Sequence, residues 1–431
     1  MKISKLHIDQ FRHLENLDFD FTYPEDFHIE EKRGKPLDKI CFIGQSATGK
    51  TNLLEIIKEQ HMAINSLVVM NKFFSYKSDI QILKGSVSFH FNDSIIEINN
   101  NQLNHDQRVY SYTKSGGFDN LLKEEDEKKY LYYFKANLIS EQNIDIFTKN
   151  PIDIFEKHPG LDYRFNINNL YLIEAPIIFD DKVESDLWLI LLFEILQYRK
   201  NFTQKMSELI HKGLLGNRNK LDLEFNKWQK ENPNKLESFA EKLNPILEKL
   251  NLEIDLVNTE YSIPIKNKRN DEIIPIQSTS TGTKGLLLSF LPLFKFDTTD
   301  SIILIDEPER SLYPDMQMDL MDHYKNLAPD AQFIVATHSP FIAASFEPDE
   351  RFILYFDEEG KVAVRRGTSP IGDDPNDMLY NDFGIDYINK YGKKVYNEYL
   401  EKRRQLLFEE NEEVKQKLQD EIESIGDKYN F

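Results

Sequence analysis

Three short runs of aliphatic and aromatic residues predict buried strands at 39–43, 301–305 and 332–336. An uninterrupted apolar run of this length is typical of a strand covered on both faces, as in a parallel sheet. Apolar residues at helical spacing follow the first run at 53–57 and precede the third at 320–327. Strands that alternate with helices in this way indicate an α/β fold with a mixed β-sheet.

Stretches in which apolar and polar residues alternate predict additional β-structure. Residues 1–22 predict two strands that turn near Arg12 and His13. The polar segment 99–130 predicts loops. Further strands are predicted at 86–91, 95–98, 130–134, 252–257, 261–265, 352–356 and 362–364.

Between residues 186 and 250 the pattern becomes helical, and breaks at 213–216 and 232–233 divide it into three helices. The tail from Ile385 is also helical and highly charged. These changes of pattern predict five segments: an N-terminal lobe (1–61), a β-rich continuation with loops (62–183), a helical insertion (184–250), a C-terminal lobe (251–366) and a helical tail (367–431).

The strongest chemical signal is the phosphate loop, residues 44–51, which lies between the first buried strand and its helix. It has the string G-x-x-x-x-G-K-[ST], in which glycines let successive N–H groups point at phosphate oxygens and the helix start adds its positive end. In this string Lys50 reaches the β- and γ-phosphates and the Thr51 hydroxyl ligates Mg²⁺. The predicted nucleotide-binding residues are Gly44, Gln45, Ser46, Ala47, Thr48, Gly49, Lys50 and Thr51.

The second buried strand ends in two carboxylates, Asp306 and Glu307. Unpaired carboxylates at the end of a buried strand are costly, so they indicate a cation or a proton-transfer task. We predict that Asp306 holds Mg²⁺ and that Glu307 is catalytic, orienting or deprotonating the attacking water. The third buried strand ends in His338, which we predict to act on the γ-phosphate or its water. The structural alternatives are an acidic helix cap for the carboxylates and a packing role for the histidine.

A hydroxyl loop, residues 278–285, precedes an apolar helix at 286–294. Serine, threonine and glycine in such a loop can present hydroxyl and N–H groups to a phosphate, and a simple helix cap explains them equally well.

The order of these motifs resembles that of ATP-binding-cassette (ABC) ATPase heads of the SMC and RecF type, and more closely that of prokaryotic AAA family ATPases related to the OLD family. Phe11-Arg12 is similar to the N-terminal Phe-Arg element of those heads, which adds Arg12 to the nucleotide site. Ser280, Thr281, Gly282 and Lys284 take the place of the transporter signature. For the Q-loop glutamine of such heads, Gln81, Gln107 and Gln142 all remain open.

The resemblance implies an ABC-ATPase head that has a mixed β-sheet with a P-loop core, an antiparallel β subdomain and a helical insertion. In such heads two copies of the chain enclose ATP and Mg²⁺. The phosphate loop, Asp306, Glu307 and His338 of one copy would then face Ser280 and Gly282 of the other. ATP would hold the copies together and its hydrolysis would release them.

Among such heads, the chain is similar to the ATPase subunits of anti-phage systems, namely the PtuA type of Septu and retron systems and the AriA type of PARIS. That likeness implies a separate effector subunit, such as a nuclease, and a phage-encoded trigger. A RecF- or SMC-like DNA-repair ATPase is the alternative, which the formal net charge of −20 disfavours, and a transporter cassette is a weaker one.

Composition adds location to this picture. The apolar run 187–193 is too short to span a bilayer, so a core helix and no membrane partner are expected. The single cysteine, Cys41, rules out an internal disulfide, suits a reducing cytoplasm and is predicted to be a small core residue.

Overall fold

The buried runs form a seven-stranded sheet in a computed structural model, which describes residues 1–65, 83–91, 94–100, 102–105, 108–113, 117–118, 130–150, 153–154, 176–258, 260–385, 392–409 and 411–429. The strands are β1 (Lys2–Phe11), β2 (Leu14–Asp20), β3 (Lys39–Gly44), β4 (Lys84–Phe91), β5 (Ser94–Asn99), β6 (Gln102–His105), β7 (Arg108–Thr113), β8 (Gly117–Phe118), β9 (Leu131–Phe134), β10 (Ile177–Phe179), β11 (Leu252–Ile254), β12 (Ile265–Asn267), β13 (Ile273–Ile274), β14 (Ile302–Asp306), β15 (Gln332–Ala336), β16 (Arg351–Phe356) and β17 (Val362–Arg366).

The helices confirm the helical segments predicted from apolar spacing. They are α1 (Lys50–Asn65), α2 (Glu141–Thr148), α3 (Ser185–His211), α4 (Arg218–Glu231), α5 (Lys235–Leu247), α6 (Thr281–Lys295), α7 (Pro314–Met318), α8 (Leu320–Leu327), α9 (Pro340–Ala343), α10 (Pro375–Asn381), α11 (Lys393–Phe408) and α12 (Glu412–Tyr429). Three of them, α3 to α5, form the expected helical insertion. In the described residues no helix combines the length and apolarity needed to cross a membrane.

The central sheet has the order β10-β9-β14-β15-β3-β16-β17. All its neighbours are parallel except β16 and β17, the strands predicted at 352–356 and 362–364, which pair as an antiparallel hairpin. Strand β3 is buried almost throughout, and Cys41 lies inside it with no exposed surface. Because β14, β15 and β3 are parallel neighbours, their carboxyl ends meet at one edge of the sheet.

A second, antiparallel sheet has the order β2-β1-β4-β5-β6-β7-β8. It packs on the central sheet through aromatic rings: Phe21 contacts Phe352 and Phe42 with ring centroids 4.9 and 6.0 Å apart. At the other end, the fully buried Gln332 side chain accepts the Ile3 N–H and donates to the Ile3 and Leu37 carbonyl oxygens. These bonds satisfy the buried amide and tie β1 to the start of β15.

Two sequence predictions are wrong. The segment 99–130 was expected to be loops, yet β6, β7 and β8 lie within it and extend the antiparallel sheet. Its pattern hid the strands because in β6 only Leu103 is buried. The strand expected at 261–265 begins instead at Ile265, since Pro264 has no N–H to donate to a neighbouring strand.

The described residues divide into two compact units, 1–372 and 373–431. The first contains both large sheets and every residue of the candidate site. The second contains α10, α11 and α12. The five segment boundaries given above remain predictions.

Candidate nucleotide site

The phosphate loop has the strand–loop–helix setting that its sequence predicts, between β3 and α1. Gly44 has φ +148° and Gly49 has φ +94°, conformations that side chains rarely adopt. A Cβ on Gly44 would lie 2.1 Å from the Leu354 carbonyl oxygen of β16, and one on Gly49 would lie 2.8 Å from the Leu14 side chain. Gly44 is therefore required by close packing against backbone as well as by loop curvature, whereas Gly49 is required chiefly by loop curvature.

Substitution of Gly44 by alanine is expected to destabilise the fold by roughly 2–4 kcal/mol, because the new Cβ clashes with backbone and φ is unfavourable. Chemical denaturation measures the change in the free energy of unfolding. Gly360, whose Cβ would meet nothing within 4 Å, is the control for positive φ without a clash. If Gly44→Ala and Gly360→Ala cost the same, the close approach of β16 does not matter.

The Lys50 side chain lies over the phosphate loop. Its ammonium donates to the carbonyl oxygens of Gly44 and Gln45 at 2.9 and 3.0 Å, and the residue is 6% exposed. Burial lowers the pKa of Lys50 to about 8, while the nearby charges of Asp306, Glu307 and Glu309 oppose that change. An anion bound in the loop would restore the lost stabilisation of the charged form.

The Thr51 hydroxyl lies 3.3 and 3.1 Å from the two carboxylate oxygens of Asp306, which ends β14. Burial is the main reason that the pKa of Asp306 rises to about 6. A hydroxyl beside one carboxylate fits Mg²⁺, which keeps several waters and takes its other ligands from a nucleotide's phosphates. These two oxygen-bearing side chains could therefore hold the magnesium of a nucleotide complex.

Glu307 has φ +52°, a left-handed conformation that is uncommon for a residue other than glycine. Its N–H donates to the Ala336 carbonyl oxygen at 2.9 Å, which holds the end of β14 against β15. Strain of this kind concentrates at functional sites, where it fixes the direction of a side chain. Glu307 is thus held at the edge of the sheet beside Asp306.

Glu309 is part of the site although sequence reasoning assigned it no role. One carboxylate oxygen accepts a hydrogen bond from the backbone N–H of His338 at 2.7 Å. The other is buried and has no hydrogen-bond partner among the described residues. Burial raises the pKa of Glu309, and the bonds from His338 and Thr337 oppose that rise. The signal was in the sequence, as a third carboxylate two residues after Glu307, but its partner is nearly thirty residues away.

His338 follows β15 and is exposed at the same edge. Partial desolvation and the charge of Lys50 lower its pKa, whereas Glu307 raises it. A neutral imidazole can both accept and donate a hydrogen bond, as contact with a water or a phosphate oxygen requires. The structure brings His338 together with Lys50, Asp306 and Glu307.

The turn between β1 and β2 flanks the phosphate loop. Arg12 has φ +55° and its guanidinium donates to the Asn52 side chain in α1 at 2.6 Å. His13, which sequence reasoning placed only in the turn, has its Nε2 3.2 Å from the position of a Cβ on Gly49. Both side chains are exposed beside the loop.

The hydroxyl loop begins α6, as its helix-cap interpretation requires. Ser280 accepts the Thr283 N–H at 3.1 Å, and Gly282 is packed so closely that a Cβ would lie 2.6 Å from the Ser311 carbonyl oxygen. Thr281 is exposed in the first turn. In the described parts of the chain, neither Ser280 nor Lys284 forms a hydrogen bond with residues 44–51.

Two cavities lie near the hydroxyl loop. One of about 50 Å³ is lined by Gly282, Asp306, Glu307 and Lys135 among others. A second of about 710 Å³ is lined by Lys284 together with Gln142 and Gln277. Gln142 therefore lies on the same cavity as Lys284 of the hydroxyl loop, while Gln81 and Gln107 lie outside the described residues.

A family model of the AAA ATPase domain matches residues 1–343, most of the chain. The chain belongs to this AAA ATPase domain family. The members of this family are nucleotide-binding ATPases. The predicted fold class, an α/β ATPase head with a P-loop core, an antiparallel β subdomain and a helical insertion, is confirmed.

Two relatives share shorter segments. The chain is 24% identical over 148 residues to "Uncharacterized protein MJECL43" of Methanocaldococcus jannaschii, covering 31% of this chain and 38% of that protein. It is 35% identical over 72 residues to the Septu protein PtuA of Bacillus thuringiensis, covering 17% and 18%. The matches thus span well under half the length of either relative.

Solved SMC heads are also similar. The SMC head bound to the C-winged helix domain of ScpA has a TM-score of 0.41 at 14% identity, covering 85% of this chain and 97% of that chain. The SMC head domain from Thermotoga maritima has a TM-score of 0.39 at 13% identity, covering 85% and 100%. TM-scores this low carry no argument, so the description of the fold depends on the strand order given above.

Proposed function

We propose that this member of the AAA ATPase domain family hydrolyses Mg²⁺-bound ATP at the edge formed by β14, β15 and β3. The observation that carries the proposal is the convergence of Lys50, Thr51–Asp306, Glu307 and His338 there. The phosphate loop would bind the phosphates, with Arg12 beside it. Mg²⁺ would neutralise phosphate charge and orient the γ-phosphoryl group, and Glu307 and His338 would orient the attacking water.

Two copies would close over the nucleotide. Among the described residues no hydrogen bond joins the phosphate loop to Ser280 or Lys284 of the hydroxyl loop, although both loops contain groups suited to phosphate. Ser280 and Thr281 are exposed at the start of α6, so a second copy can reach them. ATP would then add contacts between copies, and hydrolysis would remove them.

Binding of Mg²⁺ with nucleotide is expected to weaken as pH falls below about 6, because protonation removes the charge of Asp306 there. A proton and the metal compete for the same oxygens, so the logarithm of Mg²⁺ affinity should fall by up to about one per pH unit. Magnesium titrations with a fluorescent ATP analogue measure this slope. Asp306→Asn should bind weakly and lose the slope, and an unchanged slope in that variant contradicts the role of Asp306.

The finer proposal is that this ATPase regulates a separate effector, such as a nuclease, in anti-phage defence in the cytoplasm. The short match to the Septu protein PtuA and the anti-phage resemblance of the motif order support it. Co-expression with the product of the neighbouring gene, followed by co-purification and a phage plaque assay, tests it. If the two proteins never associate and give no protection, the defence role fails while the ATPase proposal stands.

A further inference from the structure

Lys135 lies next to the metal-binding position although no sequence motif contains it. Strand β9 pairs in parallel with β14, and Phe134 is the partner of Ile305. The residue after Phe134 is Lys135, just past the end of β9, and the residue after Ile305 is Asp306, the last residue of β14. Neighbouring strands lie about 4.8 Å apart, so these two residues are adjacent at the carboxyl edge of the sheet.

Both side chains point to the same helix. Asp306 contacts Thr51, and the Lys135 ammonium lies 3.5 Å from a carboxylate oxygen of Glu55. Thr51 and Glu55 are four residues apart on α1, so they share one face with Cβ atoms about 6 Å apart. The Lys135 ammonium therefore contacts a residue one helical turn from Thr51, whose hydroxyl would ligate Mg²⁺.

The contact with Glu55 can be given up at low cost. Glu55 also forms an ion pair with Lys58 on the same helix, and the Lys58 side chain is 12% exposed. Release of Lys135 would thus leave the Glu55 carboxylate still neutralised. The Lys135 side chain is 28% exposed and lines the cavity shared with Asp306, Glu307 and Gly282, so it has space to reorient.

The charge balance of the edge favours such a move when a triphosphate is present. Asp306, Glu307 and Glu309 place three carboxylates there, and Lys50 is the cation of the phosphate loop. Arg310 lines the same cavity but its guanidinium donates to the Ala136 carbonyl oxygen at 2.7 Å. A γ-phosphate beside Asp306 would bring in more negative charge than a diphosphate, and Lys135 is placed to neutralise it.

We propose that Lys135 is a γ-phosphate contact that distinguishes ATP from ADP. On triphosphate binding, its ammonium leaves Glu55 for a γ-phosphate oxygen, where it stabilises the charge that develops during hydrolysis. On loss of phosphate it returns to Glu55. This inference rests on the proposed function, because it assigns a further residue to the same nucleotide site.

The test compares Lys135→Met, which keeps the length and apolar stem, with Lys135→Arg, which keeps the charge. Binding of a non-hydrolysable ATP analogue and of ADP is measured with Mg²⁺, together with kcat and KM for ATP. Lys135→Met should lose about ten-fold or more of the preference for the triphosphate and of kcat, with ADP affinity within about two-fold of the parent. Lys135→Arg should recover part of both. Lys212→Met, which breaks an exposed ion pair with Glu208 on α3, is the matched control.

Every other outcome of these measurements contradicts the assignment of Lys135, the proposed function or both. An unchanged triphosphate preference in Lys135→Met overturns the assignment, and so does equal weakening of both nucleotides, which indicates a structural role. If Lys50→Ala abolishes binding while Lys135→Met is normal, the proposed function stands and only this inference fails. If the parent protein binds neither nucleotide, both fail.

Discussion

Replacement of Glu307 by glutamine is expected to lower kcat for ATP hydrolysis by about 10²–10⁴-fold, while ATP still binds. Glutamine has nearly the same shape, but it cannot accept the proton of the attacking water. It also removes a negative charge from beside the phosphates, so ATP affinity should be equal or higher. The variant should therefore accumulate in its ATP-bound, associated form.

Single-turnover hydrolysis and size-exclusion chromatography with ATP measure the two effects. Glu358→Gln, an exposed carboxylate in the turn between β16 and β17, is the matched control and should behave as the parent. Hydrolysis by Glu307→Gln at the parent rate would show that another group orients or activates the water.

Removal of the Lys50 side chain should have the second largest effect, on binding rather than on chemistry. Lys50→Ala is expected to weaken ATP by roughly 100-fold, or about 3 kcal/mol, because charge-assisted bonds to phosphate are lost. The fold should tolerate the change, since a buried ammonium with a lowered pKa adds little stability. Isothermal titration gives the affinity and thermal unfolding gives the stability.

Lys5→Ala removes an exposed lysine from β1 and is the control for loss of charge. If Lys50→Ala binds ATP as tightly as the parent, the phosphate loop is not the nucleotide site. If it unfolds, Lys50→Met, which keeps the apolar stem, separates binding from stability.

The phosphate loop and the carboxylate strand could be predicted because the information is local. The G-x-x-x-x-G-K-[ST] string, its strand and the start of its helix all lie within residues 39–57, and Asp306 and Glu307 directly follow an uninterrupted apolar run. Thr51 and Asp306 are both predicted to hold Mg²⁺, so the sequence implies that they lie close together. The structure places them 3.1 Å apart.

Glu309 and Lys135 could not be assigned because their roles depend on contacts between distant strands. Glu309 matters through a bond to His338, and Lys135 matters because β9 pairs with β14 across some 170 residues of sequence. Strand β9 is four residues long and follows a polar segment, so neither its neighbour nor its register was visible. The same weakness hid β6, in which only Leu103 is buried.

Cross-linking between copies tests the central claim, that two chains complete one nucleotide site. Gln45 and Gln277 are both exposed, so each is replaced by cysteine in a separate population of the protein. The native Cys41 is buried, so a short bis-maleimide should join only the introduced thiols. The account expects a cross-linked pair when the two populations are mixed with ATP and Mg²⁺, and little without nucleotide. Equal cross-linking with and without ATP, or none in either condition, would contradict it.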